Sequence, residues 1–339
     1  MPSSSGGTTV LRIHFSDADL ARTRIAAAPD PLWEVASSLH RLQSRTGRWA
    51  YAGWYRSTRQ RVAEHRLERL VREVLVPLFP RAAYFPDFLT PSQSEQGLEA
   101  GLEAIAATPT PRVARELRLF ERRVGAPSWI GRLTRGGERA ELLGAIRTYH
   151  AVALAPADDL MRARVDAERA ARARNLLDGG VHALLDNLGP SIRWRPPVLH
   201  VDYPAEEREM RLDGRGLRLV PSYFCWGSPV SMYDPELPPV LFYPLLHEPA
   251  PLADDSGEPL TALLGRTRAT VLRAAASGAG ATTGELARAA AVSDSSASRH
   301  ASVLREAGLL SSSRFATSVL HTLTPAGAAM LRAGRRPPG

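Results

Sequence analysis

The chain contains no lysine: all 43 of its basic residues are arginine. A coding bias toward GC-rich codons accounts for this, alongside the many Ala, Gly and Pro. The absence therefore assigns no function. There is one cysteine, Cys225, which excludes an intramolecular disulfide framework and any site needing two thiolates from one chain. Long apolar runs are missing too. The richest stretch, 237–246, is ten residues with three prolines, against the roughly 18–20 apolar residues of a membrane span. Residues 1–9 are polar and lack the charged and apolar parts of a signal peptide, so the expectation is a soluble, cytoplasmic protein. No G-x-S-x-G, H-E-x-x-H, Walker loop or strand-linked G-x-G-x-x-G is present, and Gly278-x-Gly280 falls in a turn between helices. The histidines are scattered. His200 and Asp202 sit two apart on one strand, and His14, Asp17 and Asp19 cluster near the start, but such pairings are ordinarily structural. The expectation is a protein that is not an enzyme, with no cofactor, catalytic residue or metal site.

The length of 339 residues and an apolar fraction of 44% suit two or three folded domains. Val10–Phe15 reads as a short strand, followed by Ser16 as a helix N-cap with Asp17 and Asp19 in its first turn. Helices are expected from Pro31, over 62–79, 93–107, 111–124 and 138–149, and in a long segment 157–188. Its Arg162–Arg174 stretch reads as a solvated face, balanced by Asp158, Asp159, Asp166 and Glu168. Short strands follow at 198–201, 209–212, 217–224 and 240–243, with Asp213-Gly214 as a hairpin turn. The fold class expected is α+β and mostly helical. A large N-terminal helical domain over 10–250 carries a small antiparallel sheet. A disordered tail (1–9) precedes it, and a linker (251–259), a C-terminal domain (260–333) and a basic tail (334–339) follow. Cys225 is expected to pack as a small hydrophobe. The aromatic set Tyr223, Phe224, Trp226, Tyr233, Phe242 and Tyr243 belongs to the core in the first instance, and alternatively lines an apolar effector pocket.

Charge is unevenly placed. Residues 260–339 hold ten Arg against three acids (Glu285, Asp294, Glu306), a net of +7, whereas residues 1–259 hold 33 against 32. Excess positive charge confined to one end suits a polyanion partner there. A helix is expected over 260–275. Thr282-x-x-Glu285 has capping-box spacing and opens a short helix to Ala290. Ser293 caps a second helix, 294–307, that Gly308 ends. Two strands around 316–318 form a hairpin with Arg314 near its tip, and Thr324-Pro325 start a last helix. Two short helices joined by a tight turn form a helix-turn-helix, and the hairpin has the position of a wing. Ala287, Val292, Ala297, Ala301 and Leu304 fall on the buried side, and Ser295, Ser296, Ser298, Arg299 and Ser302 face outward. Small hydroxyls let the helix lie deep in a major groove. Arg299 can bond guanine in bidentate fashion or clamp a phosphate.

The stretch TTGELARAAAVSDSSASRHASVLREAGLL, then a hairpin and HTLTPAG, resembles the ArsR family of winged helix-turn-helix regulators over roughly the last 75 residues. Ser293, Ser295, Ser298, Arg299, His300, Leu304, Arg305, Glu306, Ala307, Gly308 and Leu309 carry the resemblance. It implies a homodimeric repressor that binds double-stranded DNA at a palindromic operator through recognition helix 294–307 and a wing near 311–319. The expected DNA-binding residues are Thr283, Ser293, Ser295, Ser296, Ser298, Arg299, Ser302, Arg314 and Thr317. The helix before the recognition helix has no Cys-x-Cys pair, which argues against thiolate metal sensing. The segment opening LRIHFSDADL and the stretch PSYFCWGSP resemble an uncharacterised N-terminal domain that accompanies such modules in actinobacterial regulators. That domain would serve dimerisation or sense a small-molecule effector. The alternative reading is an effector-binding or enzymatic N-terminal domain whose winged helix is a protein-interaction module.

Overall fold

The computed structural model describes residues 9–48, 50–81, 84–203, 206–247, 259–276, 280–315 and 318–333. Most of the expected tails and linker, and Thr317, lie outside these residues. The chain divides into two compact units. One holds 1–158 and 168–245; the other holds 159–167 and 246–339.

The first unit is α+β with two four-stranded sheets. In one, the order is β3 (Ile192–Arg195), β4 (Val198–Asp202), β1 (Val10–His14) and β5 (Arg208–Arg211). Alternation decides its faces: Leu11, Ile13, Ile192, Trp194, Leu199, Val201 and Met210 point into one apolar core, which Leu184, Leu185 and Leu188 complete. The other sheet has the order β2 (Arg24–Ile25), β6 (Arg218–Ser222), β8 (Val240–Pro244) and β7 (Val230–Ser231). All five residues of β6 are buried, the pattern of a strand covered on both faces. Helix Pro31–Gln43 packs here and is buried nearly all round, with Trp33 stacked on Phe242 at 4.7 Å.

The α+β class stands, but the expected small antiparallel sheet is replaced by two mixed ones. β1 pairs with β5, and β6 with β2 and β8, in parallel. Asp213-Gly214 does make a turn, with positive φ at both and Arg215 N–H donating to Leu212 O at 3.0 Å. It is not a hairpin, because β5 and β6 belong to different sheets. The expected helix over 62–79 is also broken. One helix spans Ala52–Glu64, Arg66 takes a left-handed φ of 56°, and helical turns resume at Glu68. The long helix Asp158–Asp186 loses helical geometry at Gly179 and Gly180. Its arginines are not all solvated: Arg172 pairs with Glu168 at 2.9 Å, both side chains largely buried.

Local chemistry explains the caps. Ser16 and Asp19 form a reciprocal capping box, and Asp30 accepts from Trp33 N–H to start the helix at Pro31. Glu34 is fully buried and closes the top of β6, accepting from Ser222 Oγ (3.0 Å), Tyr223 N–H (2.8 Å) and Phe224 N–H (3.1 Å). Burial outweighs these three donors and holds its carboxyl up at about 7. Cys225 packs in the same core, its thiol pushed up to about 12 by burial. The six aromatics named above do not line one pocket. Phe242 stacks on Trp33, Tyr243 bonds Glu168, and Tyr223 and Phe224 pack on Tyr51. His14 bonds Glu209, Asp202 bonds Arg193, and Asp19 is buried and accepts from Ser16 and Gly216 N–H, so the His/Asp groupings are dispersed into separate structural contacts. Among the described residues no group of three His, Cys, Asp or Glu could hold a metal. No helix among them is long and apolar enough to cross a membrane.

Candidate nucleic-acid interface

The second unit is built around small and aliphatic side chains. The helix expected over 260–275 is two helices, Pro259–Leu264 and Arg266–Ala274, parted by Gly265 at φ 79°. Only glycine takes that conformation cheaply. Helix Thr283–Ala290 opens on the expected capping box: Thr282 Oγ1 accepts from Glu285 N–H, and Glu285 Oε2 accepts from Thr282 N–H at 2.8 Å. The carboxylate of Glu285 also lies 3.5 Å from Arg164, whose residues 159–167 belong to this unit. The turn to the next helix runs through Ala291 in the left-handed region, φ 53° and ψ 44°, and Val292 N–H returns to Ala287 O at 3.0 Å. A left-handed alanine costs about 1–2 kcal/mol relative to a right-handed one. The turn is held all the same, because Ala287, Ala297 and Ala301 are buried where the two helices meet and larger residues would force them apart.

Ser293 caps helix Asp294–Glu306 by accepting from Ser296 N–H, and Gly308, at φ 72°, follows its end. Ala297, Ala301 and Leu304 form its buried stripe. Ser295, Ser298, Arg299 and Arg305 are exposed, and Ser296 and Ser302 are half-buried. The three-stranded sheet has the order β10 (Leu310–Phe315), β11 (Ser318–Leu323) and β9 (Ala281–Thr282), all antiparallel. Arg314 is exposed near the end of the β10–β11 hairpin. Gly280 sits so close to the sheet that a Cβ there would come within 2.6 Å of His321 O. Thr324 caps the last helix, Pro325–Ala333, by accepting from Gly327 N–H at 3.1 Å, and its hydroxyl donates to Gly308 O.

His321 ties the hairpin to the first helix of the motif. Its Nε2 lies 3.0 Å from Thr283 Oγ1 and its Nδ1 lies 2.8 Å from Ser312 Oγ. Burial first, and then Arg305, lower its pKa, so the ring is neutral and one nitrogen donates while the other accepts. This residue was missed in the sequence. Its signal was the alternation along 319–323, which sets His321 on the same strand face as Val319 and Leu323.

The structure leaves several of the sequence-derived residues exposed. Ser295, Ser298 and Arg299 stand exposed on the second helix, with Arg314 exposed on the hairpin of the same unit. Two of the set are occupied locally: the Thr283 hydroxyl by His321, and the Ser293 hydroxyl by Ser295 and Ser296. Arg268, Arg288 and Arg305, which are not among the DNA-binding residues expected from the sequence, share the exposed character of Arg299 and Arg314. Among the described residues none of these five makes an ion pair.

A family model described as a helix-turn-helix domain matches residues 263–312. That span takes in the two capped helices, the left-handed turn at Ala291 and the start of β10. No curated protein and no solved structure matches the chain. The chain thus carries a C-terminal helix-turn-helix domain, which points to a DNA-binding transcription regulator.

Proposed function

We propose that the protein is a transcriptional repressor of the ArsR kind that binds a palindromic operator as a homodimer. The observation that carries the reading is the exposed side of helix Asp294–Glu306: small hydroxyls and the uncommitted guanidinium groups of Arg299 and Arg305, with Arg314 exposed on the hairpin. Side chains that short let a helix backbone approach base edges, and an arginine without an acid partner is available to guanine or phosphate. Repression is the mode that the family resemblance implies. Dimerisation follows from selectivity. Serine discriminates weakly among bases, so two recognition helices on half-sites roughly 34–36 Å apart are needed for a specific site. Leu263, 69% exposed on helix Pro259–Leu264, supplies apolar surface for a second copy.

The test is operator selection from a random DNA library with the full chain, followed by anisotropy titrations on the selected site. Arg299→Ala should cost about 1–3 kcal/mol and relax preference at one position in each half-site. Arg314→Ala should weaken all sequences alike and reduce the slope of log K against log salt by about one. A full chain that selects no sequence, or binds equally well in both variants, would overturn the reading. Sedimentation on and off DNA checks the dimer.

A further inference from the structure

We infer that the N-terminal unit holds a binding site for a small carboxylic acid with an apolar body, in a cavity lined by Trp33, Thr90, Arg112, Met232 and Val240. The inference does not rest on DNA binding. The cavity has a volume of about 230 Å³ and lies wholly within the first unit. Trp33, Met232, Leu237, Pro238, Pro239 and Val240 supply apolar walls. An apolar cavity of about 150 Å³ accepts benzene, so this one has room for a ring and a short acid-bearing arm.

The polar groups of the lining decide the chemistry. Asp87 is already satisfied, because its two oxygens accept from Tyr233 N–H at 3.1 Å and one of them also from Asp234 N–H at 2.8 Å. It is therefore a poor partner for an amine. Arg218 is neutralised by Asp30 at 3.2 Å and Glu95 at 3.3 Å. Arg112 differs. Its Nε donates to Glu116 Oε1 at 2.7 Å, and among the described residues the guanidinium makes no other polar contact. Its side chain is 30% exposed, which puts it at the rim with both terminal nitrogens unspent. Two parallel N–H donors of a guanidinium match a carboxylate. Thr90 adds an independent pointer. It is fully buried, yet its hydroxyl has only the thioether of Met232, 3.9 Å away. A thioether is a weak acceptor, and a buried hydroxyl served that poorly calls for a partner inside the cavity. A ring seated against Trp33 with its acid group on Arg112 meets both demands.

The experiment is calorimetric titration of the full chain with benzoate, phenylacetate and cyclohexanecarboxylate, and with benzamide as the neutral counterpart. At least one acid should saturate with a Kd of about 1 mM or tighter. Benzamide should bind about tenfold more weakly than that acid, or worse. Arg112→Gln should lose about tenfold in affinity. Because that change also strips Glu116 of its ion-pair partner and leaves it only Phe88 N–H, a second variant is included: Ser92→Trp, at a half-buried lining position, fills the cavity and should abolish binding while the melting curve stays cooperative. No saturation by any acid up to about 10 mM would overturn the inference. So would equal binding of acid and amide, or unchanged binding in Ser92→Trp.

Discussion

Arginine does two different jobs in the two units. In the N-terminal unit many arginines are paired with acids: Arg218 with Asp30 and Glu95, Arg24 with Glu95, Arg112 with Glu116, Arg123 with Glu206, Arg147 with Glu99. Over residues 1–259 the charge is nearly balanced, 33 Arg against 32 acids, so acids are at hand to pair with a guanidinium group. In the helix-turn-helix unit, Arg268, Arg288, Arg299, Arg305 and Arg314 stand exposed with no acid partner among the described residues. One coding bias supplied both sets. Whether an arginine holds the fold or awaits a polyanion is decided by the acids placed around it. Buried pairs such as Arg218–Asp30 are costly to break, because the remaining charge is left desolvated. Exposed unpaired arginines carry no such penalty and can be spent on phosphate.

The largest expected effect comes from removing the unpaired set. Replacing Arg288, Arg299, Arg305 and Arg314 by Gln in the full chain should lower DNA affinity about a thousandfold at moderate salt, because each lost phosphate contact forfeits counterion release. Replacing four exposed, acid-paired arginines instead (Arg69, Arg72, Arg147 and Arg193) should leave affinity within about twofold. Equal losses in the two sets, read by anisotropy, would erase the contrast between the units.

Next in size is a stability effect confined to the N-terminal unit. Glu34→Ala strands the Ser222 hydroxyl and two backbone N–H groups in the core, and should cost about 3 kcal/mol. Hydrogen exchange resolved by unit should show the loss there and leave 283–306 unchanged. A smaller gain is expected from Ala291→Gly. Relieving the left-handed alanine should stabilise the helix-turn-helix unit by roughly 0.5–1 kcal/mol, less than the full strain because glycine also loosens the unfolded chain. A destabilised variant by thermal melting would show that the turn is not strained.

The subtlest difference is in pH dependence. Burial holds His321 below its ordinary value of 6.5, so the unfolded chain protonates first. Its contribution to the stability of the C-terminal unit is complete above pH 6.5 and declines as pH falls below it. Glu34 has the opposite sign. With its carboxyl held at about 7 against 4.5, its contribution is complete below 4.5 and is lost as pH rises through about 7. Melts of His321→Gln should accordingly lose the acid-side slope of the helix-turn-helix unit. The penalty of Glu34→Gln should be largest near pH 5 and smallest near pH 8. Parallel pH profiles for the variants and the parent protein would refute the assignment of these two groups.

Much of the helix-turn-helix was legible because its signals are local. The Thr282–Glu285 capping box, the Ser293 cap, Gly308 and Thr324-Pro325 each act within a few residues, and each does what its spacing suggests. The break at Gly265 was missed because the apolar stripe of 260–275 continues across it, and periodicity does not register a single left-handed glycine. In the N-terminal unit the failures are of pairing rather than of strand identity. β1, β4, β5, β6 and β8 stand close to their expected places, but β1–β5 and β6–β8 pair in parallel across long stretches of chain. The site residues divide in the same way. Ser295, Ser298, Arg299 and Arg314 could be picked from residue type and helical or hairpin position. The tie of Thr283 to His321, across 38 residues, could not.

Composition and short-range spacing were sufficient to place the net charge at the C-terminal end, to cap the two helices of the motif and to choose which of their faces is buried. These properties depend on chemistry within one or two turns of chain, which neighbouring residues control. Three things belong to the tertiary structure alone: which sheet each strand joins, the burial that holds Glu34 and His321 away from their ordinary pKa values, and the cavity that leaves Arg112 and Thr90 with bonding capacity to spare. Each depends on groups far apart in sequence being brought within a few ångströms, where hydrogen bonds form and water is excluded, and that proximity is a product of packing.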